Sequence, residues 1–218
     1  MTDDQAPTRL ILIRHGEAHA NVDDVAAGAR TCRGLTDRGR EQSDRLAKYF
    51  AGQQDCPIAA VYSSTAARAR QTGEILAAAL DQPVFPALSA PNYGRGEGRP
   101  WPEIIAGLGC APALRPDQPI APGAEPWTTY QRRTGHDLAD LMRRYAGETV
   151  VVVAHRETVI AASMNFLSLL PWARADVTFA VDYTGVTIWQ HEPLRHTNPR
   201  DDHRRWKLVR HNDTRHLD

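Results

Sequence analysis

"LILIRHGEAHAN", Leu10 to Asn21, decides the fold. Its opening residues are apolar and branched, and with Arg9 they read as a short strand buried on both faces. The run stops abruptly at Arg14, His15 and Gly16, so a buried strand delivers a guanidinium and an imidazole at its carboxyl end. Two later segments repeat the pattern. "IAAVYSS" (Ile58 to Ser64) leads through Ser63 and Ser64 to Arg68, one turn into a helix. "TVVVVAH" (Thr149 to His155) is the clearest buried strand in the chain, and it ends at His155, followed by Arg156.

Helical patterns fill the intervals. "LTDRGREQSDRLAKYF" carries Leu46 and Phe50 at helical spacing, with Thr36 as its N-cap. "AARARQTGEILAAAL" follows Ser63, Ser64 and Thr65, any of which can cap it. "WTTYQRRTGHDLADLMRRY" is a long amphipathic helix, and "ETVIAASMNFLSLL" begins a helix at the tip of the valine strand. "PVFPAL" is read as a short strand, "VTFAVDYTGVTIWQ" as two strands around a turn at Tyr183 to Gly185, and "RRWKLVRHN" as a last strand. Strands alternating with helices predict an α/β fold: a three-layer α/β/α sandwich with a mostly parallel central sheet. The chain is expected to form one domain over residues 1–218, with 89–126 as an irregular, Pro- and Gly-rich loop or lid carrying one short helix near Trp101 to Leu108. Ligands of such folds gather at the carboxyl ends of the strands, where Arg14, His15, Arg68, His155 and Arg156 fall.

Composition narrows the function. Lys+Arg and Asp+Glu both number 26 in 218 residues, so the net charge is zero. That balance argues against a nucleic-acid or membrane-surface binder, and the locally basic stretch from Arg195 to Arg215 reads as a solvated strand and tail. Cys32, Cys56 and Cys110 have neither metal-site spacing nor disulfide-scaffold density, which fits a reducing cytoplasm. His191, His196, His203, His211 and His216 show no zinc-binding spacing. The polar, acidic start is no signal peptide, and no apolar run approaches the roughly 20 residues of a membrane helix.

Two histidines and several arginines suit a phosphoryl group. Guanidinium forks match phosphate oxygens and stay charged, helix N-termini offer free N–H groups, and a neutral imidazole attacks phosphorus. Trp101 and Trp127 read as core or lid anchors, and Arg133 either contacts substrate from the start of its helix or, the favoured reading, lies on the surface.

These motifs together resemble the histidine phosphatase superfamily, the phosphoglycerate mutase-like enzymes. "RHGEAHAN" is similar to the family's opening signature, "SSTAARARQT" to its S-S-x-x-x-R-A-x-Q-T element, and "VVVVAH" to the strand carrying its second histidine. "NYGRGEGRPWPEI", "GAEPWTTYQRR" and the tail "NDTRHL", familiar from bacterial members, extend the resemblance over nearly the whole chain. It implies a metal-independent, cofactor-free phosphatase acting on phosphomonoesters or phosphoanhydrides. His15 would be the nucleophile that becomes phosphorylated, Arg14, Arg68 and His155 would hold the phosphoryl oxygens, and Asn21 would hydrogen-bond phosphate or substrate. The expected partner is a small phosphorylated substrate, with no nucleic acid and no membrane. Oligomeric state stays open, a homodimer being one reading.

Two departures stand out. The family usually places a Glu or Asp, its general acid, where this chain has Ala90. Glu97, in the same loop, and Glu157, two residues after His155, are the candidate substitutes, and both can equally be bystanders. Arg156 stands where the family usually has glycine; it either grips a polyanionic substrate or points to solvent. Three functions therefore stay open: a phosphatase, a phosphomutase, and a phosphate-binding or repurposed relative with weakened hydrolysis.

Overall fold

A computed structural model describes residues 6–53, 57–194 and 203–218. Cys56, His196 and residues 195–202 of the basic stretch lie outside the described residues. The central sheet holds β1 (Thr8–Arg14), β2 (Ala60–Ser63), β3 (Val84–Pro86), β4 (Thr149–Ala154), β5 (Val186–Pro193) and β6 (Arg204–Asp213). Their order is β3-β2-β4-β1-β5-β6. The first four run parallel, and β5 and β6 continue the sheet antiparallel. The helices are α1 (His19–Val22), α2 (Asp37–Ala51), α3 (Ala67–Ala79), α4 (Trp101–Leu108), α5 (Trp127–Arg144) and α6 (Arg156–Phe166).

Strand alternation explains the layers. Leu10, Leu12, Val150 and Val152 face α5 and α6, packing with Leu138 and Ile160. Ile11, Ile13, Val151 and Val153 face α2 and α3, packing with Leu46 and Leu76. A strand covered on both sides has no use for polar alternation, so Val150 to Val153 are all fully buried. Each such valine contributes about 1.5–3 kcal/mol on the scale of complete side-chain burial. None of the helices among the described residues is long and apolar enough to cross a membrane.

The expected elements differ from the observed ones at three places. Only one strand forms from residues 177–190, because the backbone before the turn is engaged elsewhere: the Val181 carbonyl accepts from Arg14 Nη1 at 2.6 Å and the Asp182 amide donates to Asn212 Oδ1 at 2.7 Å. The helix after β4 stops at Phe166, where Ser168 turns left-handed (φ 55°) and the Leu169 amide returns to the Met164 carbonyl. Ala66, with no side-chain bond, precedes α3 as its N-cap. Ser64 and Thr65 bond His155 and the Ala90 amide instead.

At α2 the N-cap is the expected one. Thr36 Oγ1 accepts from the Gly39 amide at 3.0 Å and donates to Glu17 Oε1 at 2.8 Å. Thr36→Ala is expected to lower stability by about 1 kcal/mol, measured as a shift in the urea midpoint at constant slope.

Candidate active site

Register brings the two histidines together. Arg14 pairs with Ala154 across β1 and β4, so the next residues, His15 and His155, emerge side by side at the carboxyl end of the sheet. Their ring centroids lie 5.4 Å apart, nearly edge to face. Ser63 pairs with Val153 in the adjoining strand, which puts Ser64 next to His155.

Hydrogen bonds fix the state of each ring. His15 Nδ1 donates to the Gly16 carbonyl at 2.7 Å. Its Nε2 therefore carries the lone pair and accepts from Arg68 Nε at 2.9 Å. His155 Nδ1 accepts from Arg68 Nη2 at 3.1 Å, which assigns its proton to Nε2, bonded to Ser64 Oγ at 2.8 Å. Arg68 thus lies between both imidazoles. Burial first, then the Arg68 charge, holds both rings well below the ordinary histidine range; the Gly16 bond works the other way on His15 without reversing it. For His15 the result is a neutral imidazole, the nucleophilic form, whose Nε2 lone pair is released when a bound anion draws the Arg68 guanidinium to itself.

These shifts also set an acid sensitivity. In an unfolded chain both rings take up protons near pH 6.5, whereas in the native state they do so only at lower pH. The unfolded state then binds more protons, and stability falls as pH drops from about 6.5 toward the native values. The urea midpoint is expected to decrease from pH 7 to pH 5, and His155→Asn is expected to show a shallower decrease.

The arginines are less completely satisfied. Arg14 packs its guanidinium 3.8 Å over the Tyr183 ring and spends Nη1 on the Val181 carbonyl. Arg14 Nε and Arg68 Nη1 are buried donors with no partner among the described residues. Such donors cost about 1–3 kcal/mol each when left unpaired, and a bound anion would satisfy them. Glu74 pairs with Arg70, not with Arg68, so helix surface pairing does not account for Arg68.

Small residues hold this tip rigid. The Gly16 amide donates to Thr72 Oγ1 at 3.1 Å, and Gln71 Oε1 accepts from the Leu35 amide at 2.8 Å. A Cβ on Gly16 would run into the Gly39 carbonyl. The glycine after the histidine is thus required by the close approach of α2.

A cavity of about 620 Å³ opens from this centre. Arg14, His15, Asn21, Arg68, Arg156 and Glu157 all line it. Asn21 Oδ1 accepts from the Ala18 amide at 3.1 Å, which leaves its NH₂ as a donor at the rim. Arg156 is exposed on the cavity wall and opens α6 without positive φ, so replacing a glycine here introduces no backbone strain. Glu157 is half-buried, and no described residue hydrogen-bonds or ion-pairs with its carboxylate.

Glu97 is not brought to the cavity. Its carboxylate accepts from Arg30 Nη2 at 2.7 Å and from the Arg30 and Thr31 amides. Burial alone would raise its pKa; these bonds outweigh it and hold the group below the usual carboxylate range. Ala90 is buried beside the cavity, its amide on Thr65 Oγ1 and its carbonyl on Arg133. Arg133 is thus no free surface residue: it forks onto Glu125 at 2.6 and 2.8 Å and also holds the Ser89 carbonyl. Trp101 and Trp127 both line the cavity.

Several residues in or beside the site carried no sequence signal. Tyr183 reaches Arg14 from the turn before β5. Tyr93 sits against Trp101, and burial pushes its phenol well above the ordinary range, so it stays a donor. Arg174 enters from a single 3₁₀ turn, Pro171–Ala175. Among the described residues, no three His, Cys, Asp or Glu side chains converge as a metal site would need.

The chain has relatives in both sequence and fold. A bifunctional protein of Mycobacterium tuberculosis is 33% identical over 156 residues, 68% of this chain and 41% of its own length. A 2,3-bisphosphoglycerate-dependent phosphoglycerate mutase of Thermoplasma acidophilum is 28% identical over 165 residues, 73% of this chain and 76% of the relative. The chain spans 26% and 41% of the length of the first curated relatives it matches. Among solved structures, Bacillus stearothermophilus YhfR superposes with a TM-score of 0.77 at 26% identity, covering 97% of this chain and all of that one. The model of the histidine phosphatase superfamily (branch 1) matches residues 10–214. Because that match begins within the strand that presents His15 and runs past the final strand of the sheet, the chain belongs to the histidine phosphatase superfamily, branch 1.

Proposed function

We propose that the protein is a metal-independent phosphatase of small phosphomonoesters, working through a phosphohistidine at His15. One observation carries the reading: the unprotonated Nε2 of His15 faces a buried cluster in which Arg14 Nε and Arg68 Nη1 lack partners. Nε2 attacks phosphorus in line, the N–P bond forms and the P–O bond to the alcohol breaks. Arg14, Arg68 and Asn21 hold the equatorial oxygens, and His155 joins them by tautomer exchange, with Ser64 Oγ donating to Nε2 and the proton moved to Nδ1 turned to the anion; positioning and charge stabilisation supply most of the rate. The proton for the departing alkoxide comes from Glu157, which lines the cavity with no hydrogen-bond or ion-pair partner among the described residues. Water then attacks the phosphohistidine, Glu157 takes its proton, and phosphate leaves. Anhydrides and aryl phosphates need less of this proton, because their leaving oxygens depart as anions.

Ala90 favours a second reading, a relative that binds phosphate and hydrolyses poorly. Cys32 and Cys110, both free thiols, fit a reducing cytoplasm. The test is incubation with ³²P-labelled aryl phosphate in excess EDTA. Phosphate release together with an acid-labile, alkali-stable phosphoprotein is expected. Binding of vanadate with no turnover of any ester would establish the second reading instead.

A further inference from the structure

The cavity wall holds a cation with no ion-pair partner among the described residues. Arg174 lies with its guanidinium carbon 4.0 Å over the Trp127 ring. No described residue hydrogen-bonds or ion-pairs with it. Arg133 and Arg30 are paired, on Glu125 and Glu97, whereas Arg115, also in the lining, bonds the neutral Gln118 side chain.

Its platform is fixed from beneath. Trp127 is buried, and its Nε1 donates to Gln131 Oε1 at 2.9 Å. Gln131 Nε2 in turn donates to the Leu169 carbonyl, in the segment leading to the turn that carries Arg174. The guanidinium face is used by the indole, which leaves its N–H edge for a ligand. Arg156 adds a second cation on the same wall. The two repel, though less than Glu157 attracts: burial lowers the Arg174 pKa most, the Glu157 charge opposes it next, and the Arg156 charge lowers it further, with Tyr93 opposing. Holding like charges together in a partly desolvated wall is costly unless an anion joins them. Glu157 alone does not close either one as an ion pair, Glu125 is taken by Arg133, and Asp24 stands on the rim near Asn21.

Volume sets the size of what fits. A cavity of about 620 Å³ lies in the range of roughly 300–1,000 Å³ that takes a drug-sized molecule. A lone phosphate at His15 would leave most of it empty, and Trp101, Ile105, Ile120 and Ile160 give the remainder an apolar lining.

We propose that Arg174 and Arg156 form a second anion subsite, and that the substrates are phosphomonoesters whose bulky, partly apolar alcohol part ends in a further anionic group. This deepens the phosphatase reading above and rests on it for the word substrate, although the subsite itself binds without turnover. The test is calorimetric titration with alkylphosphonates of increasing methylene count, each compared in its carboxylate-terminated and methyl-terminated form. At the best chain length the carboxylate is expected to tighten binding about tenfold, the scale of one charge-assisted hydrogen-bonded pair. Arg174→Met brings that ratio close to one, and Arg174→Lys keeps part of it. Should Arg174→Met fail to fold, Arg156→Gln, on an exposed side chain, carries the same test with a severalfold fall in the ratio. A ratio near one at every length in the wild type, or a ratio untouched by all three variants, overturns the subsite. A preserved ratio without any phosphoenzyme keeps the subsite and removes the phosphatase; turnover of aryl phosphates with no preference does the reverse.

Discussion

His15→Ala is expected to abolish turnover and phosphoenzyme formation together. Loss of a covalent nucleophile costs about 10⁴–10⁶ in kcat when nothing replaces it, and no nearby group is built to do so. His155 does not line the cavity as His15 does, and its Nε2 proton is held on Ser64. The substitution leaves Arg14, Arg68 and Asn21 in place, so inorganic phosphate binding, which loses about one polar contact, is expected to survive within about tenfold. The two readouts separate chemistry from binding. Hydrolysis at the wild-type rate in the alanine variant would remove His15 from the mechanism, and with it the reason the strand ends where it does.

Glu157→Gln produces the second large effect, and the effect depends on the leaving group. A placed general acid is worth about 10²–10⁴ in rate. An alkyl phosphate needs that proton and should lose activity on this scale. A 4-nitrophenyl ester, whose phenolate leaves unaided, should lose less than about fivefold in the step that breaks its ester bond. Single-turnover rates on both esters give the comparison. Glutamine keeps the size and polarity of the side chain, so a general loss of packing would instead lower both rates alike. Equal, small effects would return Glu157 to the ordinary role of a carboxylate in the first turn of α6. In that case Ala90→Glu becomes decisive. The Ala90 backbone is held by Thr65 and Arg133 next to the cavity, and a gain on alkyl phosphates alone would show that the chain simply lacks its acid.

Glu97 and Glu157 show where sequence reading stopped. Both are carboxylates near a phosphate motif, and nothing in their neighbours along the chain separates them. Arg30 does, because the loop before α2 folds back over residues 94–97 and takes the Glu97 carboxylate. Contacts of this kind join residues more than 60 positions apart and leave no periodic trace. Arg133 was obscured in the same way, since its partners Glu125, Ser89 and Ala90 lie on loops. Arg174 and Tyr183 come from short irregular segments, where no pattern announces which way a side chain turns.

The buried strands, by contrast, announce themselves. Unbroken runs such as Leu10 to Ile13 and Val150 to Val153 are compatible with little besides a sheet covered on both faces, and that burial is local in the chain. Polar residues at the ends of those runs therefore had to gather along one edge of the sheet, and the α/β class, the order of the helices and the group Arg14, His15, Arg68 and His155 were all legible without coordinates. What only the tertiary structure decided is register and direction: Arg14 opposite Ala154, one imidazole proton on Gly16 and the other on Ser64, one glutamate in the cavity and the other tied to Arg30. Hydrophobic burial is non-directional and scales with area, so a pattern of residue types suffices to specify it. Hydrogen bonds and ion pairs act over a few ångströms along fixed directions, and those are set only when the whole chain is packed.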